Sequence, residues 1–392
     1  MEMYEGKLKN KILSLFLLCE TFCFIYIMYN KELVSDYLGQ TITLSEFTIG
    51  CVFFLLLLFY FLFHILWMIS EKIIKSRKKV GSVGDLNLFV LVLIFLYFIL
   101  NLKTGIGRVG QEDNVTLTGL DKLLFLAPIF FKINFLIYIY AAGNRNKNRL
   151  YYFNLFFFVF AELTRGVSFT ILLLLIIEYN KIRRFISIRY FLFSLLFGIL
   201  LINVIYNVKF YVRMGAKYEY IDIYTSLIML MGRLSILSNL LFIYDNLSDI
   251  RLYFYGSGYQ GIVHEFLESL TPVPSLFGIS EKVLEFGKIL FSYSNVTFTS
   301  ATAASLLGII YIYPNSIFNA ITIICLSWIY IHIITGYLEF SRMQRVVAYF
   351  FVLLALYQGF MAILSNYIYA LTIYFLIACV RNLLLSKKYE TI

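Results

Sequence analysis

The amino-acid sequence predicts an all-α polytopic membrane protein with about ten transmembrane helices (a range of about 9–12) and one large extracytoplasmic loop containing amphipathic helices. Three observations predict it. Of 392 residues, 61% are apolar, 19% aromatic and only 14% charged, and the mean hydropathy is +0.82. A soluble domain averages about 45–50% apolar and about 25% charged residues. Apolar runs long enough to cross ~30 Å of hydrocarbon recur along the chain. Lysines and arginines gather in alternate connections between those runs. The composition excludes a cytosolic enzyme, a disordered chain (40 Phe and 32 Tyr) and a disulfide-framed secreted domain.

In chain order, apolar spans fall near 12–29, 47–70, 86–102, 123–143, 190–208, 316–338, 346–364 and 365–383. The stretch 150–180 is interrupted by Thr164-Arg165-Gly166, and each half makes only roughly 22 Å of helix. It reads as two short helices whose junction stops short of the outer surface. The first span has a basic start, but Glu20 interrupts it and no A-x-A site follows, so a retained signal-anchor is expected. The chain thus divides into an N-terminal bundle of about seven spans (1–208), a large extracytoplasmic loop (209–300) and a C-terminal bundle of about three spans (301–392).

Charge orients these spans. Lys7, Lys9 and Lys11 precede the first span, and Lys72, Lys75, Arg77, Lys78 and Lys79 follow the second. Arg145, Lys147 and Arg149, then Lys181, Arg183, Arg184 and Arg189, then Arg342 and Arg345, and finally Arg381, Lys387 and Lys388 all fall on the same side. That side is cytoplasmic, as are both termini, by the positive-inside rule. The net charge of +10 is therefore an orientation signal and no argument for nucleic acid.

Metal chemistry has little to work with. Cys19, Cys23, Cys51, Cys325 and Cys379 lie inside apolar runs without paired spacing, and His64, His264 and His332 are far apart. No disulfide, metal or other cofactor is expected. Asp245 and Asp249, four apart, offer a weak Mg²⁺ pair whose plainer reading is helix-end solvation.

The loop 209–300 is where charge, Gly and Pro gather. Asp222 to Leu241 predicts a helix, with Asp222, Ser226 and Arg233 on one face. Arg165, short of the outer surface, either pairs with Glu162 three residues earlier or faces a ligand, and the two are compatible. Arg213, Arg233 and Arg251 are each readable as solvated loop residues, yet with Arg165 they outline an outward-facing anionic site. Gly256-Ser257-Gly258-Tyr259-Gln260-Gly261 matches G-x-G-x-x-G but lacks a surrounding βαβ unit, so it reads as a loop. Beside it, His264 and Glu265 are candidate general bases, with an ordinary surface histidine as the alternative. The small-residue stretch 297–304 favours close helix packing.

Several of these features together resemble the bacterial Wzy-type O-antigen polymerases, within the superfamily that includes the O-antigen ligases. The resemblance is carried by Thr164-Arg165-Gly166 between short helices, the outer loop after the seventh span, and Gly232-Arg233-Leu234-Ser235. The turn Thr271-Pro272-Val273-Pro274, the stretch 297–305 and the approach from Gly308 to Pro314 are also similar. The resemblance implies a metal-independent, inverting glycosyltransferase at the outer face of the inner membrane. It would move a growing glycan from undecaprenyl pyrophosphate to the non-reducing end of a new lipid-linked repeat unit. Arg165 and Arg233 match the family's pyrophosphate arginines, Arg213, Arg251 and Tyr259 would assist binding of lipid or glycan, and His264 is the expected base. Two family patterns are not met. Arg251 precedes Gly261 by one residue too few, and His264 is followed by Glu265 where the family has Ser or Thr. The partners implied are lipid-linked oligosaccharides, membrane lipids, a chain-length regulator and a flippase. An O-antigen ligase is the nearest alternative, and a flippase for the same lipid-linked units is the rival from a different class. Few midplane charges and one dominant outer loop argue against the flippase.

Overall fold

Uninterrupted apolar sequence makes long helices here, and most of the expected spans fall on helix in their described residues, whereas the one near 346–364 is cut at Gly359, between two helices. The computed structural model describes residues 2–73, 85–104, 119–144, 146–167, 169–185, 191–214, 218–271, 285–295, 302–337, 342–359 and 361–390. Residues 272–274 of the proline turn and residues 297–301 of the small-residue stretch lie outside them. Among the described residues there is no strand, only one isolated antiparallel bridge between Glu32 and Thr41.

Helices α1 (Glu2–Asn30) and α2 (Glu46–Ile73) come first, joined through a 3-10 turn at Ser35–Tyr37, and α3 (Asn87–Thr104) follows. The expected span near 123–143 is instead three pieces, α4 (Gly119–Leu124), α5 (Leu126–Phe130) and α6 (Ile133–Gly143). Pro128 cannot donate to the carbonyl one turn back, which accounts for the first break, and Lys132 at φ 47° makes the second. Next are α7 (Arg149–Thr164) and α8 (Phe169–Ile177), parted at the expected Thr164-Arg165-Gly166. Gly166, at φ 78°, closes α7: its N–H donates to Leu163 and that of Val167 to Glu162, a Schellman cap that needs a left-handed residue.

Helices α9 (Tyr179–Phe185), α10 (Phe191–Met214), α11 (Ile223–Arg233), α12 (Leu237–Asp245), α13 (Leu247–Gly256), α14 (Ile262–Leu270) and α15 (Phe286–Asn295) lead to α16 (Ser305–Ile312). The chain ends with α17 (Ile317–Tyr337), α18 (Arg342–Gln358) and α19 (Met361–Glu390). Among the described residues, Gly6–Asn30, Glu46–Ile73, Pro314–Tyr337 and Met361–Asn382 are long and apolar enough to cross a bilayer. The bent pair α11–α12 would make a fifth. Apolar segments in α3, α6, α10 and α18 are shorter. Helix α2 leaves Phe54, Leu58, Phe61, Leu62, Ile65 and Leu66 exposed, a face that only lipid or another protein would cover. The protein is therefore a helical membrane protein.

The chain divides into two compact units, one formed by Met1–Val80 with Ile228–Tyr369 and the other by Gly81–Leu227 with Ala370–Ile392. In the second, the main packing is α3 against α7, and a buried polar cluster joins Asn87, Tyr140, Asn144 and Asn154. Asn87 accepts from Tyr140 at 2.7 Å and from Asn144 at 3.2 Å.

In the first unit the expected helix from Asp222 to Leu241 is broken: α11 and α12 meet at 77°. The cause lies far away in the sequence. Glu20, fully buried in α1, accepts hydrogen bonds from Ser235 Oγ (2.6 Å), the amides of Ile236 (2.9 Å) and Leu237 (3.2 Å), and Tyr60 Oη (3.1 Å). Its carboxylate thus satisfies amides at the start of α12, where the helix dipole favours negative charge. Continuing α11 straight through would point those amides back at their own carbonyls and leave Glu20 unsatisfied. Helix α16 lies beside α12 in the same direction. Asn239 donates to the Ala303 carbonyl at 2.8 Å, Gly308 lies against Leu240 and Ile243, and Tyr311 meets Tyr244.

At the elbow, Gly232 abuts the backbone of the 3-10 turn, and a Cβ there would sit 2.7 Å from the Ser35 amide nitrogen. Gly232→Ala is expected to destabilise the detergent-solubilised protein by about 1–3 kcal/mol, because neither backbone can yield cheaply. Gly50→Ala, on an open face of α2 with nothing within 4 Å, is the control and should be neutral or stabilising by about 0.5–1 kcal/mol. Thermal unfolding of the two variants side by side measures this.

Candidate functional site

Arg233 closes α11, just before the elbow, and its Nη2 pairs with Asp36 Oδ1 at 2.9 Å. The guanidinium side chain is 42% exposed while the Asp36 side chain is 7% exposed. One ion-pair contact therefore aims the arginine and leaves much of its donor fork open. The Ser35–Tyr37 turn that carries Asp36 is held firmly. Ser238 Oγ receives the Val34 amide at 2.8 Å and donates to the Val34 carbonyl at 2.9 Å. The Tyr37 ring stacks on Phe242 with centroids 3.7 Å apart. Asp245 accepts from Thr43, at 3.1 Å from its amide and 2.5 Å from its hydroxyl. Asp245 therefore spends its carboxylate on the loop, and among the described residues no three His, Cys, Asp or Glu side chains gather to hold a metal.

Arg251, on α13, donates from Nε (2.9 Å) and Nη2 (2.5 Å) to the Tyr311 carbonyl. That carbonyl belongs to the last turn of α16, where a cation also offsets the helix dipole. Arg233 precedes the N-terminal end of α12, whereas Arg251 lies beyond its C-terminal end, against the C-terminal end of α16. The first unit does not place the two arginines as one clamp.

The Gly256 to Gly261 segment is the expected loop. Gly258 and Gly261 adopt φ 73° and 98°, and Gly261 opens α14. Tyr259 Oη donates to Glu265 Oε2 at 3.2 Å, and the Phe286 amide donates to the same oxygen at 3.1 Å. Glu265 is buried, and burial pushes its carboxyl up to about 7, partly resisted by the Phe286 amide and reinforced by Glu285. Its Oε1 has no partner. Burial and, after it, the neighbouring Glu265 carboxylate hold the Tyr259 phenol well above its usual range. His264 is exposed on the next position and has no orienting hydrogen bond among the described residues. So the two adjacent candidate bases differ sharply: one is solvated and unoriented, the other buried and engaged in joining α14 to α15.

In the other unit, Arg165 is paired as its spacing allows. Nη1 bonds Glu162 Oε1 at 2.8 Å and also reaches Tyr97 Oη, and the guanidinium lies 5.2 Å from the Tyr97 ring centre. Glu162 further accepts from Tyr97 Oη at 2.7 Å and from Thr170 at 3.2 Å. The arginine side chain is 11% exposed. One turn beyond Tyr97, Asn101 is fully buried with neither amide atom partnered. Arg213 lies in the last turn of α10, with its side chain outside the described residues.

Asp36, the carboxylate that orients Arg233, carries no mark in the sequence. Its loop offered no motif, and the pairing exists only through tertiary structure. No family model matches the chain, and no characterised protein or solved structure shows significant similarity to it.

The buried Glu265 gives a pH signature. Its folded value, about 7, lies above the 4.5 of the free side chain, so the folded state binds the extra proton. Stability is then highest below pH 4.5, falls as pH rises through about 7, and is flat above. Glu265→Gln keeps an acceptor for Phe286 and Tyr259 without the charge. It should flatten that dependence and raise stability by about 3 kcal/mol at pH 8. Unfolding midpoints of both proteins at pH 5 and pH 8 check this.

Proposed function

We propose that the chain polymerises lipid-pyrophosphate-linked oligosaccharide repeat units at the outer face of the bacterial inner membrane, with both termini cytoplasmic. The observation that carries this reading is Arg233. It is a permanent cation on the side where positive charge is otherwise scarce, aimed by Asp36 and left 42% exposed. Transfer of a glycan from lipid pyrophosphate needs charge stabilised on the departing diphosphate, and a fixed guanidinium supplies it in a water-poor setting. The bacterial setting and the reaction come from the resemblance of Thr164-Arg165-Gly166, Gly232-Arg233-Leu234-Ser235 and the outer loop to Wzy-type polymerases.

In this reading Arg233 binds the donor pyrophosphate, and a pyrophosphate role for Arg165 comes from the resemblance of Thr164-Arg165-Gly166 alone. Arg213 and Arg251 assist in holding lipid, and Tyr259 flanks the glycan. His264, if used, must be oriented by substrate, because no neighbouring side chain does so. A chain-length regulator and a flippase are the partners such an enzyme would need.

The test uses the purified full chain in lipid nanodiscs with lipid-linked repeat units. A ladder of lengthened glycans is expected. Transfer only to lipid A-core would assign the ligase reaction instead, and recovery of unchanged substrate on the opposite face would assign transport. Arg233→Gln, whose amide still donates to the mostly buried Asp36, should shorten or abolish the ladder while the protein accumulates normally. Arg165→Ala is the poorer probe. It strands the buried Glu162, which costs about 3–5 kcal/mol, so its protein level should fall along with its product.

A further inference from the structure

Helices α13 and α14 belong to the stretch that charge and turn residues mark as a water-exposed loop, yet each is divided lengthwise into unlike flanks. In α13, Ile250 and Phe254 turn inward and are buried. On one outer flank stand Ser248, Leu252 and Tyr255, at helical spacing, with Leu252 76% and Tyr255 61% exposed. The other outer flank carries Asp249 and Tyr253, and Tyr253 Oη shares a hydrogen bond with Ser292 Oγ of α15 at 2.9 Å. In α14, Ile262 and Glu265 turn inward. Val263 and Leu267, four apart, are exposed on one flank, and His264 and Glu268, also four apart, occupy the next. Each helix therefore shows the outside one flank without charge and one with it.

Their place beside α17 decides what covers the apolar flanks. The rings of Tyr255 and Tyr259 both pack on Tyr313, with centroids 5.8 and 6.0 Å away. Tyr313 directly precedes Pro314–Tyr337, one of the segments long and apolar enough to cross a bilayer. Helix α14 opens just after Tyr259 and packs against α17. The first turns of α17 leave Ile317, Phe318 and Ile321 exposed, a face that bilayer hydrocarbon covers. The apolar flanks of α13 and α14 thus start at the level where a spanning helix enters the membrane.

The residue types at that level fit the same cover. Tyrosine has an apolar body and a polar tip, which suits it to the boundary between water and lipid. Besides Tyr255 and Tyr313, Tyr244 packs on Tyr311 there with centroids 6.0 Å apart and is 40% exposed. Arg251, bonded to the Tyr311 carbonyl, keeps a cation at this depth, where lipid phosphates lie. Water would leave exposed leucines on both helices uncovered, whereas a lipid boundary accepts leucine, tyrosine and arginine together.

We propose that α13 and α14 form an in-plane anchor whose partner is the phospholipid surface around α17. Leu252, Tyr255, Val263 and Leu267 enter the boundary between headgroups and acyl chains, to a depth of about 5–10 Å. Asp249, His264 and Glu268 face water. With both termini cytoplasmic, the leaflet is the outer one. The assignment holds whatever reaction the chain performs.

The experiment measures depth in the full chain in phospholipid nanodiscs. Cys51, Cys325 and Cys379 are first replaced by Ala, while Cys19 and Cys23 are fully buried and stay. One nitroxide is then attached in each of Leu252→Cys, Leu267→Cys, Asp249→Cys, His264→Cys and the lipid reference Phe318→Cys. Collisions with oxygen, which concentrates in lipid, are compared with collisions with a water-soluble nickel chelate. The oxygen-to-nickel ratio at 252 and 267 should exceed that at 249 and 264 several-fold and approach the value at 318. Equal ratios at all four positions would put both flanks in water and overturn the proposal. Protection of 252 and 267 from both reagents would mean that a second copy or another protein covers them, and overturns it too. If the labelled variants fail to accumulate, the unaltered chain decides, in nanodiscs containing a phospholipid with a photoactivatable diazirine near its headgroup. Adducts within 252–255 and 263–267 support the anchor, and adducts confined to the spanning helices overturn it.

Discussion

A carboxylate placed in the middle of an apolar helix must find donors or unravel its surroundings, and Glu20 finds four. Three belong to the chain at the start of α12 and one to Tyr60 on α2. The consequence is geometric. The amides of Ile236 and Leu237 turn toward α1, so α12 starts there and cannot continue α11 in line. The elbow then brings Ser238 against Val34, Tyr37 against Phe242 and Gly232 against Ser35. Arg233 and Asp36 face each other only because those contacts hold. The position of the candidate functional arginine is thus inherited from a buried acid on the first helix.

The arginines show how one residue type takes different roles according to what it touches. A guanidinium keeps its charge at any ordinary pH, so every arginine near apolar surroundings must be given acceptors. Arg165 receives a carboxylate and both the hydroxyl and the ring of Tyr97, and little of it remains exposed. Arg251 receives a helix-terminal carbonyl and works as a cap. Arg233 receives a single carboxylate oxygen and keeps much of its fork in the open. The difference among them is the number of donors left to give, which composition and position do not reveal.

Local features were legible in advance where their cause is local. Apolar run length placed the long helices, Gly166 marked the end of α7, and the i, i+3 spacing of Glu162 and Arg165 announced their ion pair. The loop nature of Gly256 to Gly261 followed from its glycines. The break at Lys132 was less visible, because the sequence around it keeps the apolar character of a continuous span and Pro128 alone hints at trouble. The elbow was not visible at all: residues 222–241 have the pattern of a single helix, and only the donors' attraction to Glu20 bends them.

By itself, then, the sequence determined the helical membrane character and the positions of the main helices. Those depend on apolar length, a quantity that adds along the chain. Tertiary structure decided which arginine is left open, which acid orients it and which polar groups are gathered beside it. Asp36, Tyr37, Asn239 and Thr302 are ordinary loop and helix residues when read in order. They come together because the elbow seats the 3-10 turn against α12, a contact that no pattern along the chain announces.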